Sequence, residues 1–185
     1  SRIVKDINSL VEDVKINNFI TLEDIPDIDL YMDQVIQLFE NKLGYLKRNE
    51  EDKILTKTMI NNYSKGNLFM DIKNKKYSKN HIILIILIYE LKSVISIPDI
   101  KVAFNNIVKS YDENSADKID LENLYKKHLK MISKNDDDIK EEILNITKEL
   151  ENLNAEEEKL LLLTYLAAKA NMYKRLCEKI VDDLF

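Results

Sequence analysis

The side chains that could do chemistry lie mostly in the middle of the chain, and they are ammonium groups. Residues 56–109 hold nine Lys and three Asp or Glu, a net +6, whereas residues 1–55 carry −5 and residues 110–185 carry −6, for an overall −5. Lys57, Lys65, Lys73, Lys75, Lys76 and Lys79 fall close together inside this island. A basic segment between acidic ends points to an anionic partner docking there. On charge alone, a solvated basic face that balances its acidic neighbours is an equal alternative.

Catalytic and metal chemistry have little to stand on. His81 and His128 are lone histidines, and His128 shares a stripe with Leu121, Leu124, Tyr125 and Ile132, which makes it a packing residue. Asp136-Asp137-Asp138 and Glu156-Glu157-Glu158 read as charged helix starts near the positive end of the dipole, without the alternation of a calcium loop. Cys177 is the only cysteine, so no intramolecular disulfide and no cysteine cluster for a metal is expected. It falls on an apolar seam and reads as inert, with a thiol sensor as the alternative. The expectation is a protein that is not an enzyme and uses no cofactor and no metal.

These side chains must be positioned by helices. The chain has 185 residues, 45% hydrophobic and 33% charged, with two Gly, two Pro and no Trp. So few breakers argue against a barrel, a sandwich or a glycine-rich nucleotide fold, and favour a mainly α chain with at most a small hairpin. Asp6, Glu12 and Asp13 interrupt any signal-peptide pattern. The longest apolar stretch, Ile82 to Tyr89, falls well short of the ~20 residues that span a bilayer. A cytoplasmic protein with no membrane association is expected.

Ile3, Ile7, Leu10, Val11 and Val14 form one helical stripe, so residues 1–24 read as an N-terminal packing helix and its exit. A helix is expected from about Asp27 or Asp29 to Leu43, with Gly44 as a left-handed stop. Thr56 caps a short helix through Ser64, with Met59, Ile60 and Tyr63 inward and Lys57, Thr58, Asn61, Asn62 and Lys65 outward; Gly66 and Asn67 end it. Leu68-Phe69-Met70 and Lys73 to Tyr77 read as the two arms of a hairpin turning near Asn74. Ser78 opens a helix whose apolar run, continuing to Val94, is too long for a strand and belongs at the centre of a domain. Ser96 to Asp99 opens another, with Pro98 in its first turn and Ile100, Ala103, Phe104, Ile107 and Val108 on its face. The polar stretch Asp112 to Ala116 is the expected domain boundary. After it come helices over about 118–133, 138–153 and 155–184, the last with Leu163, Leu166, Ala170, Tyr173, Cys177, Ile180 and Leu184 at alternating steps of three and four. Leu160 to Leu163 need cover on several sides, from the chain itself or from a second copy.

Read as a unit, Thr56, Tyr63, Asn67-Leu68, Lys75, Tyr77-Ser78 and Ser96-Ile97-Pro98-Asp99-Ile100 resemble the winged helix-turn-helix head of the mercury-resistance regulator (MerR) family. That pattern has a capped recognition helix ending in Tyr, a turn followed by Leu, a basic residue, then Tyr-Ser opening a long apolar helix. The wider segment from Ile25-Pro26-Asp27-Ile28-Asp29-Leu30-Tyr31 to Phe104 is similar to a bacterial family known only as a domain of unknown function. The resemblances cover about residues 20–105. Departures include Asn61-Asn62-Tyr63 where the MerR pattern carries Arg-Tyr-Tyr, Val94 where it carries Gly, and a longer segment before Thr56.

The resemblance implies a MerR-like head with a small hairpin wing over residues 25–111. Residues 112–185 would then form a helical bundle or coiled region for dimerisation or an effector. It further implies a transcription regulator that binds double-stranded DNA as a homodimer, with residues 57–64 in the major groove. Lys57, Thr58, Asn61 and Asn62 would present polar groups on that helix, with Lys57, Thr58 and Asn61 toward base edges; Lys65, Lys73, Lys75, Lys76 and Lys79 with the Tyr63 and Tyr77 hydroxyls would hold phosphates. The competing expectation is a protein-interaction adaptor that keeps the winged fold without binding DNA. No residue set points to a particular small-molecule effector.

Overall fold

The computed structural model describes residues 2–185, and side chains from Asp6 onward. The chain is mainly helical, 66% helix and 3% strand. Its helices are α1 (Arg2–Asp13), α2 (Met32–Leu43), α3 (Lys57–Lys65), α4 (Lys79–Leu91), α5 (Ile97–Asp112), α6 (Leu121–Ile132), α7 (Asn135–Ile146) and α8 (Ala155–Leu184), with strands β1 (Leu30–Tyr31) and β2 (Lys76–Tyr77). Two compact units emerge: Ser1–Asn18 with Lys130–Leu176, and Phe19–Leu129 with Cys177–Phe185. None of the helices is long and apolar enough to cross a membrane, among the described residues.

The second unit is built around α4. Ile82, Ile83, Leu84, Ile85 and Ile88 retain no exposed surface, which requires neighbours on every side of the helix. The cover comes from Val35 and Phe39 of α2, Ile60 and Tyr63 of α3, Ile100, Phe104 and Val108 of α5, and Leu121 and Tyr125 of α6. Leu121 and Tyr125 are fully buried in this core, so the expected boundary at Asp112–Ala116 falls inside the unit rather than at its end. Ile20, expected with the N-terminal helix, is buried in the same core, next to Ile25.

The hairpin differs from expectation. Leu68, Phe69 and Met70 are buried without strand structure, and β2 pairs antiparallel with β1, Leu30 opposite Tyr77 and Tyr31 opposite Lys76. Only the tight turn is local: the Lys76 N–H donates to the Lys73 carbonyl at 3.1 Å, with Asn74 at φ 54° and Lys75 at φ 58°. Positive φ at both central residues is the type I′ signature. The pairing also explains why α2 starts at Met32 rather than near Asp27: Leu30–Tyr31 is extended, and the Tyr31 N–H is taken up by Gln34 Oε1 at 2.8 Å. Gly44 is not a left-handed stop; it sits at φ −57° and leads into a 3-10 turn over Gly44–Leu46.

In the first unit Val11 of α1, Ile143 of α7 and Leu162 of α8 form a small core. The helix expected over 138–153 begins at Asn135 and ends at Ile146, followed by a 3-10 turn over Thr147–Leu150 and a left-handed Asn152. Of the four consecutive leucines only Leu162 is buried; Leu160, Leu161 and Leu163 are exposed.

Tyr125 ties α6 to the start of the second unit, its hydroxyl donating to the Ile20 carbonyl. Burial pushes this phenol far above its ordinary range, with the charges of Glu90 and Asp24 acting in the same direction. Tyr125→Phe leaves a buried carbonyl without its donor, and urea unfolding should show a loss of about 1–3 kcal/mol.

Candidate nucleic-acid interface

α3 is a short polar helix fixed at both ends. Thr56 Oγ1 accepts from the Met59 N–H at 3.1 Å, which caps the first turn. At the other end the Leu68 N–H donates to the Tyr63 carbonyl at 3.0 Å and the Asn67 N–H to the Ser64 carbonyl at 3.1 Å, a Schellman closure. Asn67 supplies the left-handed residue at φ 56°, whereas Gly66 stays right-handed at φ −79°. Held this way, α3 buries Ile60 and Tyr63 and exposes Lys57, Thr58, Asn61, Asn62 and Lys65, the division that its sequence pattern implies.

The basic turn is anchored from beneath by His81. This residue occupies the third position of α4, where a capping box places Glu or Gln. Its N–H donates to Ser78 Oγ at 3.3 Å, and its Nδ1 accepts from the Ser78 N–H at 3.1 Å. Nδ1 is therefore unprotonated, and Nε2–H donates to the carbonyls of Met70 at 3.0 Å and Asp71 at 3.3 Å. The ring also meets Phe69 and Tyr77 edge-on. One imidazole thus joins the start of α4 to both sides of the Lys73–Lys76 turn.

β1–β2 pairing brings this turn to the start of α3. Lys57 and Lys75 line one hollow of about 540 Å³ together with Tyr31, Met32, Asp33, Ile72 and Tyr77. Lys57 Nζ lies 3.1 Å from Asp33 Oδ1, both side chains well exposed. Lys76 Nζ stands 5.1 Å from the centre of the Tyr31 ring, a cation–π contact, and Lys79 pairs with Asp27 at 3.0 Å. Lys65, Lys73 and Lys75 are exposed, and no carboxylate pairs with them among the described residues.

Two sequence candidates need correction. Tyr63 is 5% exposed and Tyr77 3%. Their rings belong to the core, and burial raises both phenols. They hold α3 and β2 in place, which leaves the lysines, threonine and asparagines as the outward groups. Sequence reasoning missed Tyr31, Asp27 and Asp33, whose roles depend on pairing across segments. It also missed His81, for which a signal existed: three residues after a capping serine.

Fold and site together define a mainly helical protein with a two-stranded antiparallel sheet and a lysine-bearing turn beside a short polar helix. The chain belongs to the family described as Domain of unknown function (DUF1836), whose model matches residues 20–128. That span agrees within a residue at each end with the Phe19–Leu129 segment of the second unit. No curated protein and no solved structure matches the chain.

Burial holds the His81 imidazole below its ordinary value of 6.5, against the raising effects of the Met70 and Asp71 carbonyls and the charges of Asp29 and Asp112. The unfolded chain therefore binds this proton more readily than the folded one. The stability that His81 contributes is complete above pH 6.5 and declines as pH falls from there toward the folded-state value. Thermal melts between about pH 7.5 and pH 5 should show Tm of the wild type falling more steeply below about pH 6.5 than Tm of His81→Gln, which keeps a capping side chain but cannot titrate.

Proposed function

We propose that the protein is a transcription regulator of the cytoplasm that binds double-stranded DNA as a homodimer, through a MerR-like winged helix-turn-helix head. Residues 57–64 of α3 enter the major groove, with Lys57, Thr58 and Asn61 toward base edges. Lys65, Lys73, Lys75, Lys76 and Lys79 lie along phosphates. The observation that carries this reading is the hollow shared by Lys57 and Lys75, which puts the start of the polar helix and the tip of the basic turn on one surface. A reading helix needs such a flanking cationic element to fix its register on the duplex.

One head of this size offers few base contacts, and two copies reading two half-sites supply the missing affinity. Support for dimerisation comes from α8, where Leu163, Tyr173, Ile180 and Leu184 of the three-four repeat are all exposed. The adaptor reading draws on the pairing of Lys57 and Lys79 with carboxylates, which leaves fewer free charges than the sequence count implies.

Titration against bulk duplex DNA at two salt concentrations separates the two readings: a regulator binds with a steep salt slope, and an adaptor does not bind. Replacing Lys75 and Lys76 by Ala should lower the slope by about 2, one for each phosphate contact removed; an unchanged slope takes the turn out of the interface. In sedimentation the chain should run at twice its own mass, and Tyr173→Glu should return it to one copy without loss of helix content.

A further inference from the structure

The Lys57–Asp33 pair has a feature that phosphate binding does not use. An exposed carboxylate beside the first residue of a DNA-reading helix repels phosphates, and an ion pair between two exposed side chains contributes little to the fold. Asp33 Oδ1 and Lys57 Nζ nevertheless stand 3.1 Å apart in the hollow that joins α3 to the basic turn. This places one anionic acceptor and one cationic donor side by side at the end of the helix that approaches base edges.

The major-groove edge of a base pair offers the matching arrangement. In a G·C pair the O6 acceptor of guanine and the N4–H donor of cytosine are neighbours, hydrogen-bonded to each other at roughly 2.7–3.2 Å. Guanine N7 supplies a second acceptor next to O6. An ammonium can take O6 and N7 together while a carboxylate accepts from N4–H, so each charged group finds its complement. An A·T pair fits less well: its central group is a donor between two acceptors, so the lysine meets one acceptor instead of two adjacent ones, and the thymine methyl crowds the far side.

We propose that Asp33 and Lys57 form one reading unit for a G·C base pair, with Asp33 accepting from cytosine N4 and Lys57 donating to guanine O6 and N7. This rests on the DNA-binding reading of the same surface. It makes Asp33, on α2 outside the reading helix, a determinant of specificity.

Selection of duplexes from a randomised pool, with wild-type chain and with Asp33→Ala, tests it. Wild type should enrich G·C at one position of each half-site, and changing that pair to A·T in the selected duplex should weaken binding about tenfold. Asp33→Ala should bring that penalty within about twofold while preferences at other positions persist. Asp33→Asn, equally exposed and close in size, should move the preference toward adenine, which pairs with an amide. Identical preferences in wild type and Asp33→Ala overturn the proposal, as does enrichment of A·T at the sensitive position. Stronger binding of Asp33→Ala to every sequence alike also overturns it, since the carboxylate would then act only by repelling phosphate. If wild type binds no duplex at all, the DNA-binding reading falls and this one with it; wild-type binding without dependence on Asp33 removes this one alone.

Discussion

The burial of α4 on all sides is the constraint on which the second unit depends. A helix with Ile or Leu at nearly every position from Ile82 to Ile88 has no face that water can accept, so α2, α3, α5 and α6 must each supply a wall. The first turn of that helix carries Ser78 and His81, and those two residues hold the segment that leads into the basic turn and the strand that leaves it. The helix at the centre of the core thus also carries the contacts that hold the basic turn.

A second consequence concerns charge. The ion pairs at the surface, Lys57 with Asp33 and Lys79 with Asp27, are exposed on at least one side and contribute of order 0–1 kcal/mol each. They do not decide the fold. Their effect is on what can approach: Lys65, Lys73 and Lys75 are exposed with no carboxylate paired to them among the described residues, and the hollow beside α3 has a mixed character, with Asp33 as an acceptor among donors. A uniformly basic patch attracts any polyanion, whereas a mixed one discriminates by pattern.

Much of this was legible in the sequence because it is local. The caps at Thr56, Ser78 and Ser96 and the inward set Ile60 and Tyr63 follow from side chains within a few residues of one another, and all are found in place. The outward lysines and asparagines of α3 follow from the same helical spacing. What could not be read is long-range. Nothing near Lys76 announces that its strand pairs with Leu30–Tyr31 rather than with the Leu68–Met70 arm, since the partner lies more than forty residues away. The phosphate-holding role that the resemblance implied for the Tyr63 and Tyr77 hydroxyls fails for a related reason: Phe69 and His81 enclose Tyr77, and Tyr63 lies in the core. The extent of the second unit was hidden too, because the polar break after α5 is only a loop between two elements of one core.

The left-handed positions of the second unit have one further implication. Asn67, Asn74, Lys75 and Asn114 adopt positive φ there, and neither glycine of the chain does. Asparagine tolerates that conformation; a lysine in it costs on the order of 1 kcal/mol. Glycine or asparagine at position 75 would remove that cost together with the ammonium group. If the turn docks on phosphates as proposed above, that backbone cost is the counterpart of placing a cation at its tip.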